Sequence, residues 1–168
     1  GHIKVNDELH NKEAVIEMQL PFLQFINKPS MEKLKFAPLL VNAQTNIEEL
    51  SVDIKEILME QKKKAAFIFV NNFTSFGRSF KFVPFTEGVP ENIAKLDEQL
   101  LKPLQAFDKE AFFGALKETM APISGYDVMR LFFQLLKKPQ VHLEQYYLSG
   151  DVNGNYNDTI SYASLVAR

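Results

Sequence analysis

Cysteine and tryptophan are absent from this chain, arginine occurs only at Arg78, Arg130 and Arg168, and the seven glycines are scattered. Without cysteine there is no disulfide framework, no thiolate nucleophile and no cysteine-based zinc or iron–sulfur site. The scattered glycines match neither the phosphate-binding G-x-x-x-x-G-K-[ST] pattern nor the dinucleotide G-x-G-x-x-G pattern, and H-E-x-x-H and G-x-S-x-G are missing too. No cofactor is therefore expected. Lysine plus arginine number 19 against 21 acidic residues, a net charge of −2. Nucleic-acid binding draws on clustered cations that release counterions from phosphates, so no nucleic-acid partner is expected. The one dense basic run, Lys62, Lys63 and Lys64, reads as a solvated helix C-terminus. No apolar run approaches the roughly 18 residues of a membrane span.

What is present suits a folded domain. Of 168 residues, 46% are hydrophobic and 24% charged, an ordinary balance at a length that holds one core without staples. Gly1-His2 reads as an expression scar, leaving 3–168 as a single α+β domain. The missing initiator Met fits a trimmed cytoplasmic protein, slightly favoured, or a mature secreted domain.

The strongest periodicity predicts a helix over 46–63. Ile47, Leu50, Ile54, Ile57 and Leu58 share one face, Thr45 and Glu48 have capping-box spacing, and acids precede lysines along the helix dipole. Further helices are expected over 91–102, 109–120 and 126–138. Pro103 should kink or stop the first of these near Leu101, Asp108 should cap the second, and Ser124 the third. The sheet is expected to have four to six antiparallel strands from two hairpins, at 65–85 and 141–166, packed on one face by the helices. The first joins an apolar run at 65–71 to an alternating run ending near Pro84 through a loop containing Phe73 and Phe76. The second turns at Asn153-Gly154, where both central residues would take positive φ. Alternation from Ile16 to Phe22 favours a strand, with a helix over 7–20 as the competitor, and 34–41 reads as another short strand. A match at an offset of 46 residues, beginning with Lys35-Phe36-x-Pro38 and Lys81-Phe82-x-Pro84, raises a duplication. Its extension pairs an expected strand with an expected helix.

Candidates for chemistry are few. His142 lies beside Glu144 on an expected strand, the pair from which a general base could be built if a pocket enclosed them; an exposed histidine on an outer strand is the plainer reading. His10 and His142 have no metal-ligand spacing, so no metal site is expected. Asp151-x-Asn153-x-Asn155 opens like a calcium-binding loop, but Tyr156 and Tyr162 stand where that loop needs Gly and a bidentate Glu.

The remaining anomaly is aromatic: 15 phenylalanines. Most should be core. Phe73 and Phe76, in the expected loop, are candidate interface anchors, and folding of that loop back onto the core is the plainer alternative. The helix 126–138, bearing Met129, Phe132 and Phe133, is apolar around most of its circumference and either is central or docks a partner. The leading expectation is thus a non-catalytic protein-interaction or regulatory module acting through apolar and aromatic surface, with a protein partner of unknown identity. The rival is a small-molecule-binding protein or hydrolase using His142 and Glu144 in a pocket between sheet and helices. A homo-oligomer is a third option.

Overall fold

The computed structural model describes residues 4–168 and has an α+β architecture with one three-stranded antiparallel sheet. The strand pairing expected at Ile16–Phe22 is overturned: the N-terminal region is helical, with α1 (Asp7–Lys12), α2 (Ala14–Glu17), α3 (Leu20–Asn27) and a 3-10 segment (Lys28–Lys33). Glu17, Met18, Gln19 and Leu20 are good helix formers, and Pro21 falls in the first turn of α3, where its missing N–H has no intrahelical role. Residues 34–41, also expected as a strand, join no strand or helix.

The long helix α4 (Ile47–Glu60) forms where the periodicity places it. Its cap differs. The Asn46 side chain accepts from the Glu49 N–H at 3.3 Å, while the Thr45 hydroxyl is drawn into the Asn42 turn. Ile47 and Leu50 pack against Leu131 and Leu135 of α7 (Tyr126–Leu135).

The hairpin expected at 65–85 does not form. Residues 65–72 join no helix or strand, and only β1 (Ser75–Gly77) pairs, with the last strand of the chain instead of a neighbour in sequence. The return is a tight turn closed by one isolated bridge between Gly77 and Phe82. Gly77 is required there: its φ is +130°, and a Cβ would lie 2.2 Å from a carboxylate oxygen of Asp158.

Next come α5 (Val89–Gln105) and α6 (Lys109–Thr119). Pro103 does not stop α5 near Leu101; the helix runs two residues past it. Proline in the final turn interrupts little of the ladder, and the stripe of Ile93, Leu96, Leu100 and Leu104 is held by the core on both sides of it. Asp108 caps α6 as expected, accepting from the Ala111 N–H at 2.9 Å. The third expected helix, α7, begins at Tyr126 but ends at Leu135, short of Lys138: Leu136 leaves the helix at φ −87°, ψ 151°, and Lys138 takes a positive φ of 46°. Ser124 is not its cap.

Strands β2 (Val141–Leu148) and β3 (Asp158–Ala167) pair antiparallel from Val141↔Ala167 to Leu148↔Ser161, with a bulge between Leu143 and Gln145. The sheet order is β1-β3-β2, three strands where four to six were expected. Asn153-Gly154 does not make a two-residue hairpin turn. The connection contains a short helix, α8 (Ser149–Asn153), and Gly154 ends it at φ 74° as a left-handed C-cap. The same conformational freedom of glycine serves either device.

The main core lies among α5, α6, α7 and β2, around Leu100, Phe112, Met129, Phe132 and Val141, with a second nucleus of Phe76, Ile93 and Leu148 where β1 meets α5. The shorter 46-residue match leads into a helix both times, but Lys35–Pro38 lies in unassigned chain, whereas Lys81 sits in a turn at φ 56° and Phe82 in the bridge to Gly77. Its extension breaks, because 65–70 is extended while 111–116 lies in α6.

Candidate functional site

The most concentrated buried chemistry surrounds Asp97. Ile93, Asp97, Leu100 and Leu104 recur at helical spacing, so α5 presents one carboxylate on its apolar stripe, fully buried. The Thr74 hydroxyl donates to one carboxylate oxygen, and the Tyr146 hydroxyl donates to the other at 2.6 Å. Ser161 of β3 completes the cluster through Thr74, since its N–H and hydroxyl both donate to the Thr74 carbonyl, at 2.9 and 3.3 Å. One acid thereby ties α5 directly to the segment before β1 and to β2, and through Thr74 to β3. Burial raises the Asp97 pKa above the ordinary carboxylate range, against the neighbouring hydroxyls, which lower it. Burial and the adjacent carboxylate hold Tyr146 in its phenol form. The sequence signal for this cluster is a lone acid on a leucine stripe, which the reading of motifs passed over.

Hydroxyls also organise the end of the β2–β3 pair. Thr159 accepts from the Gly150 N–H at 3.0 Å, and Ser149 accepts from the Ile160 N–H at 3.0 Å. Asp151 accepts from the Leu148 N–H at 2.7 Å and from the Tyr156 hydroxyl at 2.8 Å. The acid that opens the calcium-loop resemblance is thus engaged in closing a turn. Among the described residues, no group of three or more His, Asp or Glu is placed to hold a metal ion.

His142 and Glu144 are both exposed on β2. The bulge at Glu144 breaks the alternation that should have put them on one face, since Leu143 and Gln145 take consecutive partners on β3 and Glu144 has none. Tyr147 stacks on Tyr162 of β3 with ring centroids 5.1 Å apart. An open depression of about 480 Å³ lies elsewhere, lined by Glu48, Glu49, Val52, Asp53 and Gln134.

The aromatic anchors move inward. Phe73 and Phe76 are 5% and 2% exposed, so the expected surface loop is instead core, with Phe76 stacked on Phe85 at 5.0 Å. The reason is topological: once β1 pairs with β3, the chain around Thr74 passes between sheet and helices. Asn71 and Asn72 fix that path by donating to the Ser124 carbonyl at 3.0 Å and hydroxyl at 2.8 Å. The approach is close enough that a Cβ on Gly125 would lie 2.6 Å from Asn71 Cβ. Met129, Phe132 and Phe133 are buried as well, which makes α7 the central helix.

Exposed apolar surface is concentrated instead in the first 70 residues, although Met120 and Val152 are also open. From residue 4 to residue 46 no residue is buried. Met18, Phe22, Phe25 and Ile26 are open to solvent, and so are Val52, Ile57 and Met59 on α4 and Phe67 and Ile68 beyond it. Phe22, Phe25 and Ile26 recur along one side of α3, and that side stays exposed while Leu20 and Leu23 are half-buried.

The family model for Memo-like proteins matches residues 2–166. The chain belongs to the Memo-like family. It is similar to a MEMO1 family protein of Thermococcus onnurineus, at 26% identity over 171 residues, covering 96% of this chain and 59% of that relative. A MEMO1 family protein of Thermoplasma volcanium is 26% identical over 99% of this chain and 56% of its own length, and one of Methanococcus vannielii 25% identical over 98% and 56%. This Memo-like chain therefore spans less than two thirds of the relatives it matches. Among its described residues no helix is long and apolar enough to cross a membrane.

Proposed function

We propose that this Memo-like chain is a non-catalytic protein-interaction module that docks through the apolar surface of its first 70 residues. The observation that carries the reading is the uncovered face of α2 and α3, where Phe22 is 71% and Phe25 80% exposed. Contiguous apolar surface of this kind marks an interaction site in a folded protein. Large aromatics are the side chains that most often anchor such interfaces. The partner surface should be apolar, with a polar rim suited to a nearly neutral module.

The rival reading, a small-molecule site at His142 and Glu144, needs a pocket enclosing both side chains. Their exposure, with Glu144 itself at the bulge, supports it less. Exchange of Phe22 and Phe25 for Ser should abolish co-purification of a stoichiometric partner from lysate, with the thermal midpoint within a few degrees of the parent. Capture that survives the double substitution would overturn the docking reading. His142→Ala should leave capture intact.

A further inference from the structure

We propose that Asn153 is a self-modification site. The chain hydrolyses its own side-chain amide there, through ring closure onto Gly154, to leave aspartate and isoaspartate, and the short helix α8 governs the rate. The site is independent of the docking reading. Of eleven asparagines only Asn153 precedes glycine. Ring closure needs the main-chain nitrogen of the next residue to reach the side-chain carbonyl carbon, an approach that a Cβ on that residue obstructs. At Gly154 the way is open: nothing lies within 4 Å of where a Cβ would stand, and Asn153 and Gly154 are both exposed. The Asn153 side chain is already folded over the Gly154 peptide, because its Oδ1 accepts from the Asn155 N–H at 2.8 Å. That bond also draws electron density from the carbonyl carbon under attack.

The hydrogen bond that ends the helix holds the reaction back. The Gly154 N–H donates to the Gly150 carbonyl at 2.8 Å, with Gly154 left-handed at φ 74°. A helix as short as α8 (Ser149–Asn153) frays at its end, and each opening frees the nitrogen. Hydroxide takes the proton, Gly154 N bonds to Asn153 Cγ, the Cγ–Nδ2 bond breaks, and Nδ2 leaves as ammonia. Water then opens the cyclic imide. Attack at Cγ gives aspartate in the original chain, and attack at the main-chain carbonyl gives isoaspartate, with the chain running through Cγ. One water is consumed for each ammonia released, and nothing is oxidised or reduced. The product suits the place poorly. A carboxylate at 153 stands at the C-terminal end of α8, where the helix carbonyls already carry negative charge, close to Asp151. Isoaspartate also lengthens the link between β2 and β3, so the modified chain holds that connection less tightly.

Peptide mapping by mass spectrometry tests this on the parent chain, incubated folded at neutral and mildly alkaline pH and, in parallel, unfolded in guanidinium. The folded chain should convert at 153 ahead of every other asparagine, faster in proportion to hydroxide, and several-fold more slowly than the unfolded chain. Isoaspartate should exceed aspartate, since only the cyclic imide yields it. Gly154→Ala should slow conversion several-fold in guanidinium, where its effect on the fold plays no part. Amide exchange at Gly154 should be faster in the isoaspartate form. No conversion at 153 in the folded chain, while the unfolded chain converts, overturns the site. Aspartate without isoaspartate, or an unchanged rate in unfolded Gly154→Ala, overturns ring closure onto Gly154. A folded rate equal to the unfolded one overturns control by α8, and unchanged exchange at Gly154 overturns the loosened connection.

Discussion

Residues 4–46 and residues 73–168 of this chain have similar shares of apolar side chains and treat them oppositely. In the C-terminal region Phe112, Ile93 and Leu100 are fully buried, and α5, α6 and α7 enclose rings that meet edge to face, such as Phe107 and Phe132 at 5.5 Å. In the N-terminal region four short helical elements bury nothing. The difference is one of topology. The C-terminal helices cover a sheet whose strands pair with one another, so each apolar face has an opposite wall. The N-terminal helices are followed by chain with no ladder, and among the described residues no layer covers them. An apolar residue contributes about 1.5–3 kcal/mol only when something covers it.

The sharpest way to break this contrast is a matched pair of truncations. Phe112→Ala should cost roughly 3–5 kcal/mol, the range for emptying an aromatic core site, and Phe25→Ala less than about 0.5 kcal/mol, as for an ordinary surface site. Urea unfolding of both checks it, and equal losses would mean that α3 is covered in solution. Phe76→Ala should resemble Phe112→Ala, whereas a negligible loss there would restore Phe76 to the surface.

A second effect concerns the centre of the C-terminal region. Because the folded Asp97 pKa is raised, its carboxyl favours folding most below its unfolded value of 3.8. That contribution is lost as pH rises through the higher folded value. Asp97→Asn, a neutral mimic, should therefore gain on the parent as pH increases from about 4 to 8, read as a widening difference in urea midpoint. Parallel pH profiles would show that Asp97 ionises freely. Smaller still is Asn46→Ala at the junction of the two regions, expected to cost about 1 kcal/mol for the lost α4 cap. A value near zero would place the start of α4 with the loosely held N-terminal region. His142→Ala should come last, within about 0.5 kcal/mol of the parent.

The helices of the C-terminal region were legible because their signals are local. Spacing, caps and proline positions all operate within a few residues, and α4, α5, α6 and α7 begin within two residues of where those signals put them. Pairing was not legible. The run at 65–71 has strand composition, but composition does not say which strand will supply its ladder, and here none among the described residues does. The same limit hid Asp97. Its place on the leucine stripe can be read, yet the hydroxyls that surround it come from residues 23, 49 and 64 positions away. Phe73 and Phe76 stayed open between interface anchors and core for the same reason, and the pairing of β1 with β3 decided for the core.

By itself, then, the sequence determined the helical faces, where the longer helices begin, the absence of cysteine chemistry and the near-neutral charge, all of which follow from residue identity and spacing along the chain. Only the tertiary structure decided that α7 is central and that Asp97 joins helix to sheet. It also decided that Asn153-Gly154 ends a helix instead of turning a hairpin, and that the uncovered apolar surface lies in the first 70 residues. Each of these depends on which distant segment arrives at a given face. That choice is made by the summed burial and hydrogen bonding of the whole fold, which no local window contains.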